Sequence, residues 1–262
     1  MIIGFGISPS RVKASAGVSY DADASAFFTA ASITDSTQKS AVNQLVLDLK
    51  SYNIWTKMKA LYPIIGGSAS SHAVNLKTPG TYNLTFATGM THSSTGMVSN
   101  GTSGYGNTGF NSTLLTSTSM HLSVYSRTQT VGTSIEIGNN ISNTYVHVRA
   151  AANFVAGNAT LSLLTFTTTT DARGFWIGTK RGTTDRENYR NGTTQNSTAA
   201  NDSTAFNNIN LFICATNNNG TSQLYSTKEI AFSSIGDGLT DTESANFYTA
   251  VQAYQTTLSR QV

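Results

Sequence analysis

The sequence predicts a mainly β protein, an antiparallel sandwich with a small N-terminal helical region and a C-terminal helix. Three observations carry that prediction. The stretch 120–137 alternates apolar and polar residues at period two, with Leu122 and Val124 set against His121, Ser123 and Tyr125, then Ile135 and Ile137 around Glu136. From His72 onward, short runs of the same texture are separated by Gly- and Asn-bearing turns with no helical pattern between them, which favours two sheets packed face to face. Charged residues make up 11% of the 262, under half the usual share of about 25%, and Ser, Thr, Asn and Gly take their places.

Residues 1–20 read as an extended N-terminal arm. Its apolar start is broken by Gly4, Gly6 and Pro9 and is too short for a secretion signal or a bilayer span, so a soluble product is expected. Residues 21–66 read as a helical attachment region. Asp21 and Asp23 are N-cap candidates ahead of Ala24, Phe27 and Phe28, and Thr34 is expected to cap a second helix whose stripe is Ala41, Val42, Leu45, Val46 and Leu49. A third helical turn is expected at 54–59, feeding the apolar run 61–65.

Residues 67–262 read as the sandwich. Strands are expected at 73–76, 82–86, 122–126, 134–137, 144–149, 161–167, 173–179, 210–216 and 228–233, with 120–137 as a hairpin. The pairs Pro79-Gly80, Asn139-Asn140, Gly157-Asn158, Asn191-Gly192 and Asn219-Gly220 supply the tight turns. The glycine-rich segment 93–119 is the least periodic, with Tyr105 and Phe110 as its anchors. A closing helix is expected over 240–259. Thr240 and Glu243 form its capping box, and Phe247, Val251, Tyr254 and Leu258 form a stripe that must bury itself on the sandwich or on a neighbouring subunit. Such stripes predict a homo-oligomer, with a trimer as the expected state.

The net charge of +3 comes from 16 basic and 13 acidic residues spread thinly, so neither nucleic acid nor membrane insertion is expected. Cys214 lies in the apolar run 211–215 and reads as a small buried hydrophobe. Triplets such as Asn83-Leu84-Thr85 follow from an Asn- and Thr-rich composition and are not read as glycosylation sites.

Four phrases carry a family resemblance: Tyr52-Asn53-Ile54-Trp55-Thr56-Lys57-Met58-Lys59-Ala60-Leu61-Tyr62-Pro63, Thr91-His92-Ser93-Ser94-Thr95-Gly96, His121-Leu122-Ser123-Val124-Tyr125-Ser126-Arg127 and Ile235-Gly236-Asp237-Gly238-Leu239-Thr240. They resemble concanavalin A-like (laminin G-like) jelly-roll modules in structural proteins of tailed bacteriophages, above all virion proteins of crAss-like gut phages. The resemblance covers roughly 21–262. It implies a non-enzymatic virion component of a fibre, tail or capsid decoration, made in the host bacterial cytoplasm. Other virion proteins are the implied partners, and some relatives bind host surface polysaccharide.

Glucanases of the concanavalin fold carry paired carboxylates on one strand. No such run occurs here. Glu136 stands alone between isoleucines, and Asp185-Arg186-Glu187 reads as solvated charge in a polar loop, so no catalytic residue is assigned. Asn201-Asp202-Ser203 and Asp237 offer single acids rather than a calcium cluster, and His72, His92, His121 and His147 lack ligand spacing. No metal or cofactor is expected. Sugar recognition needs exposed aromatic faces beside planar polar groups. The best candidate is Trp176, Lys180, Arg186, Tyr189 and Arg190, with a plain reading alongside it in which Phe175 and Trp176 divide between core and sheet surface.

Overall fold

The structure is a computed structural model that describes residues 19–130, 132–139, 144–147, 154–157, 165–166, 170–201 and 205–262; for 144–147, 154–157 and 165–166 it describes the backbone course alone. The helices are α1 (Ala22–Ala30), α2 (Ser36–Ser51), α3 (Ala69–His72) and α4 (Asp241–Thr257). The strands are β1 (Met58–Tyr62), β2 (Thr85–Phe86), β3 (Met90–His92), β4 (Met97–Ser99), β5 (Gly106–Asn111), β6 (Met120–Ser126), β7 (Ile137–Asn139), β8 (Thr144–His147), β9 (Phe154–Gly157), β10 (Thr165–Phe166), β11 (Gly174–Lys180), β12 (Arg186–Arg190), β13 (Thr193–Thr198), β14 (Asn210–Ile213), β15 (Thr216–Asn218), β16 (Thr221–Gln223) and β17 (Ile230–Gly236). The N-terminal arm lies almost wholly outside the described residues.

Two antiparallel-rich sheets form a sandwich. One is ordered β13-β12-β11-β6-β17-β4-β3, with β1 also paired to β17. The other is ordered β10-β9-β8-β7-β14-β5-β2, with β15 and β16 joined beside β7. Alternation along each strand sorts its side chains. Leu122, Val124, Trp176 and Ile235 from the first sheet meet Phe110, Ile137, Leu211 and Ile213 from the second in the core between them. The opposite side of the first sheet presents Tyr125, Phe175, Ile177 and Phe232, and α1, α2 and α4 cover it. Among the described residues the molecule therefore has three layers: helices, the sheet they cover, and the second sheet, whose outer side no described helix covers and which is called the uncovered sheet.

The helix ends follow their caps. Asp21 accepts the Asp23 amide at 2.9 Å, and Asp35, rather than Thr34, accepts the Gln38 amide at 2.8 Å. Thr240 and Glu243 form the expected capping box of α4. Its Phe247, Val251 and Tyr254 are buried against the covered sheet and α2, so the stripe that argued for an oligomer is satisfied within the chain.

Other expectations need correcting. The stretch 120–137 is not a hairpin, because β6 pairs with β11 and β17 in the covered sheet while β7 pairs with β8 and β14 in the other. Period-two alternation reports a buried face without saying which sheet owns it. At 54–59 only a single 3₁₀ turn forms, Trp55–Lys57, before β1 joins β17. The boundary expected at 66/67 thus has a sandwich strand on its N-terminal side. No strand forms at 73–76; there Asn75 accepts from the Leu61 and Lys77 amides and donates to the Thr81 carbonyl, taking the place of ladder bonds. The segment 93–119 contains β4 and β5, and Gly109, at φ +63°, lets β5 bulge between Asn107 and Asn111. The distal parts of the strands expected at 144–149 and 161–167 lie outside the described residues.

Candidate functional site

The expected glycan platform lies on the hairpin β11–β12, and all of it but the partly exposed Arg190 is buried. Trp176 points into the core between the sheets at 0% exposure, its indole Nε1 donating to the Ala172 carbonyl at 3.0 Å. Tyr189 faces the helices, and Lys180 and Arg186 are buried where they pair in register. Arg190 lays its guanidinium 4.8 Å from the Trp176 ring centre and donates to the Arg173 carbonyl. With one face of this sheet on the core and the other under helices, its aromatics pack instead of meeting solvent. The segment 186–190 is a strand rather than a loop, and its charges are internal.

One of its networks ties the hairpin to α4. Arg181 pairs with Asp185 at 2.8 Å, with Glu187 at 2.6 Å and with Asp241. The Tyr189 hydroxyl lies 2.7 Å from Glu187 and 3.0 Å from Asp241 and donates to one of them at a time. Burial, and then Glu187, push the Tyr189 phenol well above its usual range. Hydrogen bonds from Arg181 and Tyr189 hold Asp241 below the usual carboxylate range. The carboxylates are thus engaged with a guanidinium and a phenol. Glu136 is likewise committed: it is fully buried and bonds Lys228 at 2.8 Å and Ser226 at 2.9 Å.

The fold brings together His72 and His92, twenty positions apart in sequence. Their Nδ1 atoms lie 2.9 Å apart, so one ring donates and the other accepts. Burial, and then His92, push His72 down to about 3. His121 bonds the Asp237 carbonyl at 2.7 Å and Ser234 at 2.9 Å, and burial pushes it down to about 4. The side chain of His147 and the residue Asp202 lie outside the described residues. Asp237 pairs with Lys59 at 3.0 Å, and Cys214 is buried as expected. Among the described residues, no group of three or more His, Cys, Asp or Glu could hold a metal ion.

A partly exposed tyrosine and several asparagines occur together on the uncovered sheet instead. Register puts Asn107, Asn111, Asn210 and Phe212 on its outer side, opposite Leu211 and Ile213, with Phe212 itself buried beneath its neighbours. Tyr105 stacks on Phe212 with ring centres 4.4 Å apart and planes at 21°, so Phe212 fixes the tyrosine ring at the surface. Beside them a groove of about 310 Å³ is lined by Asn208, Ile209, Asn210, Asn217, Asn219 and Gly220. Its walls are pre-set. Asn217 accepts the Gly220 amide at 2.8 Å and donates to the Asn210 carbonyl at 3.0 Å, Asn111 donates to Asn208, and Asn210 reaches Asn107 at 3.4 Å. Planar amides that offer both donors and acceptors, next to an aromatic face, form a surface that can pair with sugar hydroxyls and stack on a sugar's C–H face. The sequence reading took Tyr105 as an anchor and Asn219 as a turn residue, and missed this site.

No family model matches the chain, and no curated protein matches it. Solved structures share its fold. A structure of botulinum neurotoxin type C, whose cell entry depends on interaction with two ganglioside molecules, aligns at a TM-score of 0.56 with 11% identity over 77% of this chain and 53% of that one. The binding domain of botulinum neurotoxin DC, in complex with rat synaptotagmin II, aligns at 0.53 with 11% identity over 76% and 52%. The botulinum neurotoxin serotype D binding domain aligns at 0.50 with 10% identity over 75% and 52%. The chain thus spans about half the length of each. At these identities the likeness establishes the sandwich fold and nothing about ligand.

Proposed function

We propose that the chain is a non-catalytic, lectin-like component of a tailed-phage virion that presents its uncovered sheet outward and binds host surface polysaccharide. The observation that carries the binding reading is the amide-lined groove beside the Tyr105–Phe212 stack. Ganglioside dependence in the botulinum neurotoxin type C structure is compatible with a glycan ligand on this kind of sandwich. The virion assignment is supported by the phage-like phrases at 52–63, 91–96, 121–127 and 235–240. In this reading the protein is made in the host cytoplasm and assembles with other virion proteins. A non-enzymatic role is supported by the engagement of Glu136 with Lys228 and of Glu187 with Arg181 and Tyr189.

The test has two arms. Gradient-purified phage particles are digested and their peptides identified by mass spectrometry; absence of this chain sinks the virion assignment. Separately, the purified protein is added to host cells with and without extracted surface polysaccharide as competitor. Binding that the competitor abolishes is the expected result, and binding that ignores it counts against the glycan reading.

A further inference from the structure

The uncovered sheet also carries information on the class of its ligand, an inference that rests on the glycan-binding reading above. None of β2, β5, β7, β8, β9, β10, β14, β15 or β16 holds an Asp, Glu, Lys or Arg. The two segments that build the groove and its aromatic neighbour fall in charge-free tracts, 78–126 and 203–227. Among the described residues, charge stands on the helices, on β11–β12 and in ion pairs such as Glu136–Lys228 and Arg127–Glu229.

We infer that the groove takes an uncharged polysaccharide. A carboxylate-bearing sugar gives up hydration when it enters a site, and a cationic or strongly donating partner must replace it. Among the described residues, the groove lining offers amides, backbone and Ile209, with no cation. Neutral sugars carry hydroxyls that both donate and accept, and amide groups such as those of the exposed Asn208 and Asn219 can answer both roles. Tyr105, held by Phe212, supplies the apolar platform that hydroxyl pairing lacks. With no charge on either side, binding is insensitive to screening by salt.

The experiment is affinity electrophoresis of the full chain in gels containing a neutral glucan, mannan or galactan, or an acidic uronic-acid polysaccharide, at about 50 and about 500 mM NaCl. Retention by a neutral polymer is expected, with less than about twofold change between the two salt concentrations. Asn210→Asp and Tyr105→Ala, each with an unchanged circular dichroism spectrum, are expected to weaken it by about tenfold or more. Asn210→Asp adds a charge without changing shape, so it keeps the test open if Tyr105→Ala fails to fold. Retention by the acidic polymer alone overturns the inference and leaves glycan binding standing. No retention by any polymer overturns both. Neutral retention that survives both variants overturns the assignment to this groove. A dimer in light scattering that Asn210→Asp dissolves, with no glycan retained, makes the face an interface between copies and overturns both.

Discussion

The two sheets are built from similar strands and differ in what lies on their outer faces. The first is roofed by helices, so β6, β11 and β17 are buried at every position. The second buries Leu211 and Ile213 inward and keeps a row of asparagines outward. A strand that mixes Trp, Phe, Tyr and Arg suggests a binding surface when read alone. In a sheet covered on both sides the same residues are packing material, and their charges must be paired to be tolerated. The face that the proposed reading assigns to recognition is made of small amides and hydroxyls, which a hydrophobic pattern overlooks.

The largest effect expected from this contrast is on stability. Phe247 of α4 packs edge-on to Phe175 at 5.0 Å and to Phe232 at 5.9 Å, under the roof of the covered sheet. Phe247→Ala is expected to cost about 3–5 kcal/mol, the usual range for a buried aromatic. Tyr105→Ala, on the uncovered sheet, removes a partly buried ring and is expected to cost about 1 kcal/mol. Urea unfolding of both variants measures the difference, and equal costs would break the distinction between a roofed and a bare sheet.

Acid separates the regions next. His121 is buried between the covered sheet and α4, and its folded pKa of about 4 lies below the ordinary value of 6.5. The unfolded chain therefore takes up the proton first, so this stabilisation is complete above pH 6.5 and is lost as pH falls toward 4. The loss is about 1.4 kcal/mol per pH unit, or about 3 kcal/mol in all. His72, at about 3, adds to it in the same direction. Asp21, Asp241 and Glu243 have lowered values and release their contribution only in stronger acid, which leaves pH 6.5 to 4.5 to the histidines. A urea midpoint that stays flat across that window would show that these rings are not held neutral.

Much of the covered sheet and its roof was legible in the sequence. Alternation located β6, β11 and β17 because each sets apolar residues inward, and the Thr240–Glu243 box located α4. Partner choice was not legible: nothing in 120–137 says that its two halves belong to opposite sheets. Strands without apolar residues escaped altogether. β13, Thr-Thr-Gln-Asn-Ser-Thr, has no hydrophobic period to read and exists through its ladder with β12. The groove was hidden for a different reason. The groove and its aromatic neighbour draw on Asn210, Asn219 and Tyr105, which only the β5–β14 pairing and the β15–β16 turn bring near each other. One signal was present: the absence of charge over 78–126 and 203–227, which composition averaged over the whole chain conceals.

The smallest expected effect sharpens the contrast most. Asn219 is exposed at the turn between β15 and β16 and sits at φ +51°, in the left-handed region that glycine enters freely. Asn219→Gly relieves the side chain's modest strain but gives the unfolded chain more freedom, and the two effects oppose each other. Stability is therefore expected to stay within about 0.5 kcal/mol of the parent in urea unfolding. Asn219→Ala keeps the left-handed backbone without an amide to support it and is expected to cost about 1 kcal/mol. Because the glycine variant leaves the fold in place, any loss of polysaccharide retention it shows reports on the groove wall itself. If Asn219→Gly instead destabilised the protein as strongly as Phe247→Ala, the outer turn would be part of the structural core, and the uncovered sheet would lose its claim to be the surface kept for recognition.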